Sequence, residues 1–167
     1  VQKTLTNQGE VSNLTITETG SVSGGTVTGV IKNNGLMADL VFVGESITGG
    51  TLAGHIINQS PIDGYLKDVQ LAADTHIQGG ILKGDIRGEQ QAPAWLEEVE
   101  IAPGSVLAHV IIGEQVKLAS DVSLQSVMLA PGIRLTDGLV EDYLIGDADE
   151  PSWIEDNVTF VSETFID

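Results

Sequence analysis

The sequence predicts an all-β protein, a parallel β-solenoid (β-helix) of about five to six coils. Three observations predict it. The 167 residues include 20 glycines, few aromatic residues and many Val, Ile, Leu and Thr, which is typical of β structure with many turns. A short pattern recurs along the chain, with glycine pairs at a nearly fixed distance after it. No long stretch keeps the apolar spacing of an amphipathic helix.

The recurring pattern is an acidic or amide residue followed by apolar-x-apolar. Its six copies are 26, 29, 30, 23 and 36 residues apart. The alternation is that of a strand. One such unit cannot bury its apolar residues alone, whereas stacked units bury them in a continuous column. We therefore predict one coil for each copy. The copies begin at Asn13, Asp39, Asp68, Glu98, Asp121 and Asn157.

Glycine pairs follow three of the copies, at 24–25, 49–50 and 79–80. Glycine permits the turn backbone that ends a strand. The uneven copy spacing predicts variable loops at 58–65, 87–95 and 146–153, all leaving the coil at one corner.

The second half of the chain has a tighter rhythm. Val110, Val116 and Val122 are six residues apart, as are Ile112, Leu118 and Leu124, which resembles the hexapeptide pattern of a three-sided turn of about 18 residues. The longer coils of the first half favour right-handed over left-handed winding. A β-sandwich is the alternative, but it needs hairpin dipeptides, and only Asn34-Gly35 and Asp137-Gly138 fit.

We expect a single domain with three parts: an edge or cap strand at 1–12, solenoid coils at 13–135, and a last coil with a C-terminal cap at 136–167. Because the chain starts at Val1 instead of Met, we expect it to be a piece of a larger chain. No apolar run approaches the roughly 18 residues of a membrane helix, so no membrane insertion is expected. End-to-end self-association through solenoid ends is a further expectation.

Charge restricts the partners. Seven Lys and Arg oppose 24 Asp and Glu, so the net charge is −17. Such a surface repels nucleic acid and anionic lipid, and we expect neither as a partner. The absence of cysteine excludes a disulfide scaffold without fixing the compartment.

Acidic residues suggest calcium, the one cofactor that the sequence points to. If the copies stack in register, Asp39, Asp68, Glu98 and Asp121 form a ladder of carboxylates about 4.8 Å apart, and calcium would relieve their repulsion. The alternative is that these side chains cap turns by accepting backbone N–H bonds. A second acidic cluster could also hold calcium or be a solvated loop; its candidate ligands are Asp147, Asp149 and Glu150, and Glu155 and Asp156 also belong to it.

Three aromatic residues are candidate binding residues because each follows a proline in a similar motif: Tyr65, Trp95 and Trp153. Trp95 and Trp153 share one phase of the repeat, where they would stack on sugar or a partner, or anchor loops. The three histidines, His55, His76 and His109, fall at different phases and predict no metal column. No recurring acid pair or basic cluster lies beside the strands, so no catalytic residue is assigned.

The units at 66–88, L-x-D-V-x-L-A-x-x-T-x-I-x-G-G-x-L-x-G-x-I-x-G, and at 96–113 resemble repeats of large bacterial surface and secreted proteins, which are adhesin-like β-helical proteins. The resemblance covers about 13–135, and weakly 139–165. It implies a parallel β-helix in an extracellular, cell-surface or periplasmic setting, and it carries no catalytic residues. The Gly-x-Leu-x-Gly-x-Ile rhythm is also similar to bactofilins, which polymerise end to end.

The leading hypothesis is a non-enzymatic module of a bacterial surface or secreted protein, serving as an adhesive platform or a stalk. Its partner would be a protein or carbohydrate at the cell surface. One alternative is a carbohydrate-active β-helix, either a polysaccharide lyase or hydrolase or a carbohydrate-binding module. The other is an end-to-end polymerising scaffold.

Overall fold

Short strands dominate the chain, and residues with a left-handed backbone lie at many of the corners that separate them. The structure, a computed structural model, describes residues 3–146 and 152–161. In that part of the chain there are 26 strands and no helix. The first three coils contain β1 (Lys3–Thr6), β2 (Glu10–Ser12), β3 (Thr15–Ile16), β4 (Gly20–Ser23), β5 (Thr26–Thr28), β6 (Val30–Asn33), β7 (Leu36–Phe42) and β8 (Ser46–Thr48).

The remaining coils follow in the same way. The fourth to sixth contain β9 (Thr51–Asn58), β10 (Tyr65–Lys67), β11 (Gln70–Leu71), β12 (His76–Gln78), β13 (Ile81–Lys83), β14 (Asp85–Arg87), β15 (Ala94–Glu97) and β16 (Glu100–Ile101). The last three contain β17 (Val106–Ala108), β18 (Val110–Ile112), β19 (Lys117–Leu118), β20 (Ser123–Gln125), β21 (Val127–Leu129), β22 (Arg134–Leu135), β23 (Gly138–Val140), β24 (Leu144–Ile145) and β25 (Trp153–Ile154), and β26 (Val158–Phe160) begins another turn.

Each coil has three sides, and strands on the same side of adjacent coils pair in parallel, except that on the third side the pairing is interrupted between β19 and β22. The first face consists of β1, β4, the start of β7 and of β9, β11, β14, β17, β20, β23 and β26. The second face consists of β2, β5, the ends of β7 and β9, β12, β15, β18, β21 and β24. The third face consists of β3, β6, β8, β10, β13, β16 and β19, and β22 and β25 are the third strands of the last two coils.

The fold class is confirmed: the chain is an all-β parallel solenoid. The prediction of five to six coils is wrong, because the residues that the structure describes form about nine. Ser21 pairs with Leu36 and Arg87 with Ala108, so one coil takes 15 to 21 residues. The recurring motif, at spacings of 23 to 36 residues, therefore advances by more than one coil per copy. The right-handed winding stays a prediction.

The copies of the motif consequently lie on different faces. The first and fourth copies supply strands of the third face, β3 and β16, and the second supplies the end of β7 on the second face. The other three supply β11, β20 and β26 on the first face. Each copy of the motif thus begins at a corner and continues into a strand, and copies occur at all three corners.

The predicted hexad rhythm of the second half is confirmed by three successive sides. Ile112, Leu118 and Leu124 lie in β18, β19 and β20, one on each face. Ile112 and Leu124 are buried, and Leu118 packs against the core. A side of six residues places an inward-pointing residue at the same position of each side.

The core is a column of apolar side chains inside the three faces. On the third face Ile31, Ile47, Leu66, Leu82 and Ile101 are register partners in successive coils, and all five are buried. Their sequence neighbours on either side point outward, as the two-residue period of a strand requires. The outward positions of each face therefore form ladders that run along the solenoid.

The loops leave the solenoid at more than one corner. We name the corner between the first and second faces the first corner, that between the second and third faces the second, and that between the third and first faces the third. The loop at 59–64 lies at the second corner, between β9 and β10, whereas the loop at 88–93 lies at the first, between β14 and β15. The prediction of one common corner is therefore wrong.

The N-terminal end of the solenoid opens onto the core. Leu5 pairs with buried Val22 but is itself 43 % exposed. A cavity of about 340 Å³ lies there, lined by Leu5, Leu14, Ile16 and Val22 among others. End-to-end self-association stays a prediction.

Candidate binding faces

The four acidic residues of the predicted ladder do not stack. Asp39 lies at the first corner, Glu98 at the second, and Asp68 and Asp121 at the third. Asp68 precedes the fifth coil and Asp121 the eighth, so even this pair is three coils apart. The coil length explains the difference, because a ladder needs a spacing of 15 to 21 residues. The geometry that suggested a calcium column is absent from these four residues.

Asp39 and Asp68 instead cap the corner of the next coil. Oδ1 of Asp39 accepts a hydrogen bond from the backbone N–H of His55, and Oδ1 of Asp68 accepts one from Asp85, each at 3.0 Å. Asn13 makes the same contact with Val30 at 3.1 Å. All three capping residues have a left-handed backbone, with φ of 52° to 53°. These contacts are those expected if the side chains cap turns, which was the alternative to a calcium ladder.

Calcium binding at these residues stays a prediction. Among residues 3–146 and 152–161, no group of three or more His, Asp or Glu side chains is placed to hold a metal ion. Asp147, Asp149 and Glu150 lie outside the described residues.

Buried asparagines form a second corner device, which the sequence pattern did not reveal. Asn7, Asn33 and Asn58 lie at the first, third and second corners and are buried. Each lies against a glycine pair of the next coil, at 24–25, 49–50 and 79–80. The signal in the sequence is an Asn 16 to 21 residues before Gly-Gly, which is the length of one coil.

The first face carries polar outward side chains that form hydrogen bonds between adjacent coils. Ser21 Oγ donates to Thr4 Oγ1 at 3.0 Å. Glu141 Oε2 accepts from Ser123 Oγ at 2.6 Å and from Gln125 Nε2 at 2.8 Å. The Ser123 bond first, and then the Gln125 bond, hold the pKa of the Glu141 carboxyl below its ordinary value against a smaller opposing effect of desolvation.

The second face has an unbroken ladder of aromatic and aliphatic side chains. Six outward residues are register partners in successive coils, from the fourth to the ninth. Met128 is 36 % and Ile145 45 % exposed. Adjacent strands are about 4.8 Å apart, so the ladder runs for roughly 24 Å. We name it the aromatic–aliphatic stripe; its residues are His55, His76, Trp95, Ile111, Met128 and Ile145.

The structure brings two histidines together that the repeat had separated. The rings of His55 and His76 stack with centroids 4.9 Å apart and planes at 21°. Nε2 of His76 also lies 2.9 Å from Oε2 of Glu97. The prediction that His55 and His76 fall at different phases is wrong, because it relied on the motif spacing instead of the coil spacing.

Trp95, a predicted binding residue, is a half-buried member of the stripe. Its indole packs against Gly113, where a Cβ atom would lie 2.5 Å from Nε1. A cavity of about 330 Å³ lies beside it, lined by Asp74, His76, Pro93, Trp95 and Ile111. Gly113 thus leaves room for the indole ring, and Trp95 lines a small surface cavity together with Pro93 of the loop at 88–93.

The other two predicted binding residues lie elsewhere. Tyr65 is half-buried on the third face, with Nζ of Lys83 5.4 Å from its ring centroid. Trp153 is 55 % exposed in β25, paired with Arg134 of β22. Trp95 and Trp153 do not share a face, so their predicted common phase is wrong. Tyr65, Trp95 and Trp153 do not form one site.

Together the pairings and the core define the class of this protein, a three-sided parallel β-solenoid whose faces differ in chemistry. No family model, no curated protein and no solved structure matches the chain. No helix long and apolar enough to span a membrane occurs in the residues that the structure describes.

Proposed function

We propose that the chain is a non-enzymatic binding module whose second face adheres to a protein partner. The aromatic–aliphatic stripe carries this proposal. It runs over six coils without a permanently charged side chain, in a protein whose net charge is −17. Depletion of charge with enrichment in aromatic residues and Met is the composition of an interface centre.

The cavity beside Trp95 supports the same proposal. Binding energy at protein interfaces is concentrated in a few pockets that receive a partner side chain, and Trp is enriched there. The cavity of about 330 Å³ has Trp95 and Ile111 as apolar walls and Asp74 as an acidic one. A partner side chain with an apolar stem and a basic end would fit this lining.

An extracellular, cell-surface or periplasmic setting is part of the proposal. It is supported by the resemblance of the repeats at 66–88 and 96–113 to bacterial surface proteins and by the strongly acidic composition. A carbohydrate ligand is the second candidate for this face, because Asp74 places a carboxylate beside the Trp95 ring in one cavity, and sugars use both kinds of contact.

Removing apolar side chains from the stripe tests the proposal. We expect the double variant Met128→Ser/Ile145→Ser to bind its partner about tenfold more weakly, and Trp95→Ala about thirtyfold more weakly, as for an interface anchor. The measurement is saturable binding to an immobilised panel of extracellular-matrix and cell-surface proteins, with a separate arm of neutral glycans.

Leu36→Ser/Val30→Ser is the matched control. Leu36 and Val30 are 36 % and 42 % exposed on the first and third faces, so the control removes similar apolar groups elsewhere. Unchanged binding by the control together with weakened binding by the stripe variants supports the second face. Binding in the glycan arm alone would show that the ligand of the second face is a carbohydrate instead of a protein. Equal losses in both variants, or no saturable binding in either arm, contradict the proposal.

A further inference from the structure

The third face concentrates positive charge in an acidic protein. Thr15, Lys32, Thr48, Lys67 and Lys83 are register partners in successive coils. Their spacings of 16 to 19 residues match the coil length, and the ladder is invisible in the motif spacing. Three of the seven cationic residues of the chain thus lie in one line. We name Lys32, Thr48, Lys67 and Lys83 the lysine stripe.

The lysines of the stripe are only partly neutralised by the protein. Nζ of Lys67 lies 3.7 Å from Oδ2 of Asp68. No described carboxylate lies within 4 Å of Lys32 or Lys83, and both side chains are exposed. Lys67 and Lys83 are direct partners on adjacent strands, an arrangement that is destabilising for like charges. An anion bound along the stripe would relieve this repulsion.

From this geometry we infer that the lysine stripe binds a linear carboxylated polysaccharide. The three lysines span about 15 Å over three strand intervals, so the stripe has one positive charge for roughly every 5 to 10 Å. A chain with one carboxylate on each sugar, or on every second sugar, has anions far enough apart to meet such a row.

Dense polyanions fit the stripe less well. Duplex DNA carries a negative charge for about every 1.7 Å of its axis, and its remaining phosphates would face acidic residues at the margins of the third face. Glu45 immediately precedes β8, and Asp68 immediately follows β10. At physiological salt, charges are screened over about 8 Å. An anion in contact with the lysines is therefore attracted by them more strongly than it is repelled by the more distant acidic residues.

Polar and aromatic groups beside the lysines suit a sugar chain. Thr48 supplies an exposed hydroxyl between Lys32 and Lys67, which can donate to or accept from sugar hydroxyls. Tyr65 lies on the parallel outward ladder of the same face, and its ring holds Nζ of Lys83 at 5.4 Å. This cation–π contact holds the ammonium of Lys83 beside an aromatic ring on the third face.

The test compares two variants of the whole chain that have equal charge. Lys32→Gln/Lys83→Gln changes the stripe, whereas Lys3→Gln/Arg87→Gln changes two cations of the first face. Both remove two positive charges from −17, which gives −19. The ligands are hyaluronate and polygalacturonate, with dextran as the neutral probe and poly-L-glutamate as the acidic-peptide probe, and binding is measured by calorimetry or biolayer interferometry.

We expect the wild type to bind at least one of the two carboxylated polysaccharides, the stripe variant to bind it about tenfold more weakly through loss of two charge-assisted contacts, and the first-face variant to change little. Lys32→Arg/Lys83→Arg, which keeps the charge at both positions, is expected to retain binding. Equal weakening in both Gln variants, binding of poly-L-glutamate alone, or no binding of either polysaccharide would overturn the inference. Because the second-face variants leave the stripe intact, failure of one proposal is distinguishable from failure of the other.

Discussion

Gly50→Ala is expected to lower the free energy of unfolding by about 3 to 4 kcal/mol. Gly50 has φ of +66°, and a Cβ atom there would overlap the side chain of Asn33. A left-handed backbone costs a non-glycine residue about 1 to 2 kcal/mol. The displaced Asn33 is 0 % exposed, and leaving its buried polar groups without partners adds about 1 to 3 kcal/mol.

The hydrogen bonds of Asn33 explain why displacing its side chain is costly. Its Nδ2 donates to the carbonyl oxygen of Thr51 at 3.3 Å, and its Oδ1 accepts from the N–H of Gly35 at 3.0 Å. The side chain therefore connects two coils at the third corner, and both bonds depend on the absence of a side chain at Gly50.

Two control substitutions separate backbone strain from the steric clash. Gly132 has φ of +71°, and an added methyl group there would meet no other atom within 4 Å, so Gly132→Ala should cost about 1 kcal/mol from strain alone. Gly9 has open space and no left-handed backbone, so Gly9→Ala should be nearly neutral. Denaturant unfolding of the three variants measures the difference. A Gly50→Ala cost equal to that of Gly132→Ala would contradict the role of Asn33.

Leu82→Ala should destabilise the protein by about 3 kcal/mol, whereas Ile81→Ala should cost less than about 1 kcal/mol. Leu82 is completely buried between Leu66 and Ile101 of the adjacent coils, and Leu→Ala in a packed core costs about 2 to 5 kcal/mol. Ile81 is its neighbour in β13 but points outward and is only half-buried.

The comparison tests the direction of the side chains as well as the size of the core. A slip of one residue in strand register exchanges the inward and outward sets. Equal midpoints of denaturation for the two variants, or a larger loss for Ile81→Ala, would therefore contradict the described register of the third face.

The sequence was sufficient to predict a parallel solenoid because each strand alternates and no single unit can bury its apolar residues. It was insufficient to predict the number of coils, because the same kind of capping residue with a left-handed backbone occurs at all three corners. Asn13, Asp39 and Asp68 cap the second, first and third corners in the same way. A motif that marks corners in general cannot report the length of one coil.

The residues of the binding faces could likewise be predicted only in part from the sequence. Trp95 and Tyr65 could be predicted as outward residues from their own motifs. Their neighbours could not, because coils of 15 to 21 residues place His55 beside His76 and Lys67 beside Lys83 at spacings that differ from coil to coil. Each ladder depends on the sum of several corner lengths, and only the strand pairing supplies that sum.

Disulfide formation between introduced cysteines tests the coil length most directly, since the chain contains no cysteine. Thr48 and Lys67 are register partners, and in-register strands about 4.8 Å apart allow a disulfide, which needs Cα atoms about 4.4 to 6.8 Å apart. We predict that Thr48→Cys/Lys67→Cys forms an intramolecular disulfide on mild oxidation, whereas Asp39→Cys/Asp68→Cys, a pair that would be adjacent if each motif copy made one coil, stays reduced. Ready oxidation of the second pair with none of the first would contradict the nine-coil, three-sided solenoid.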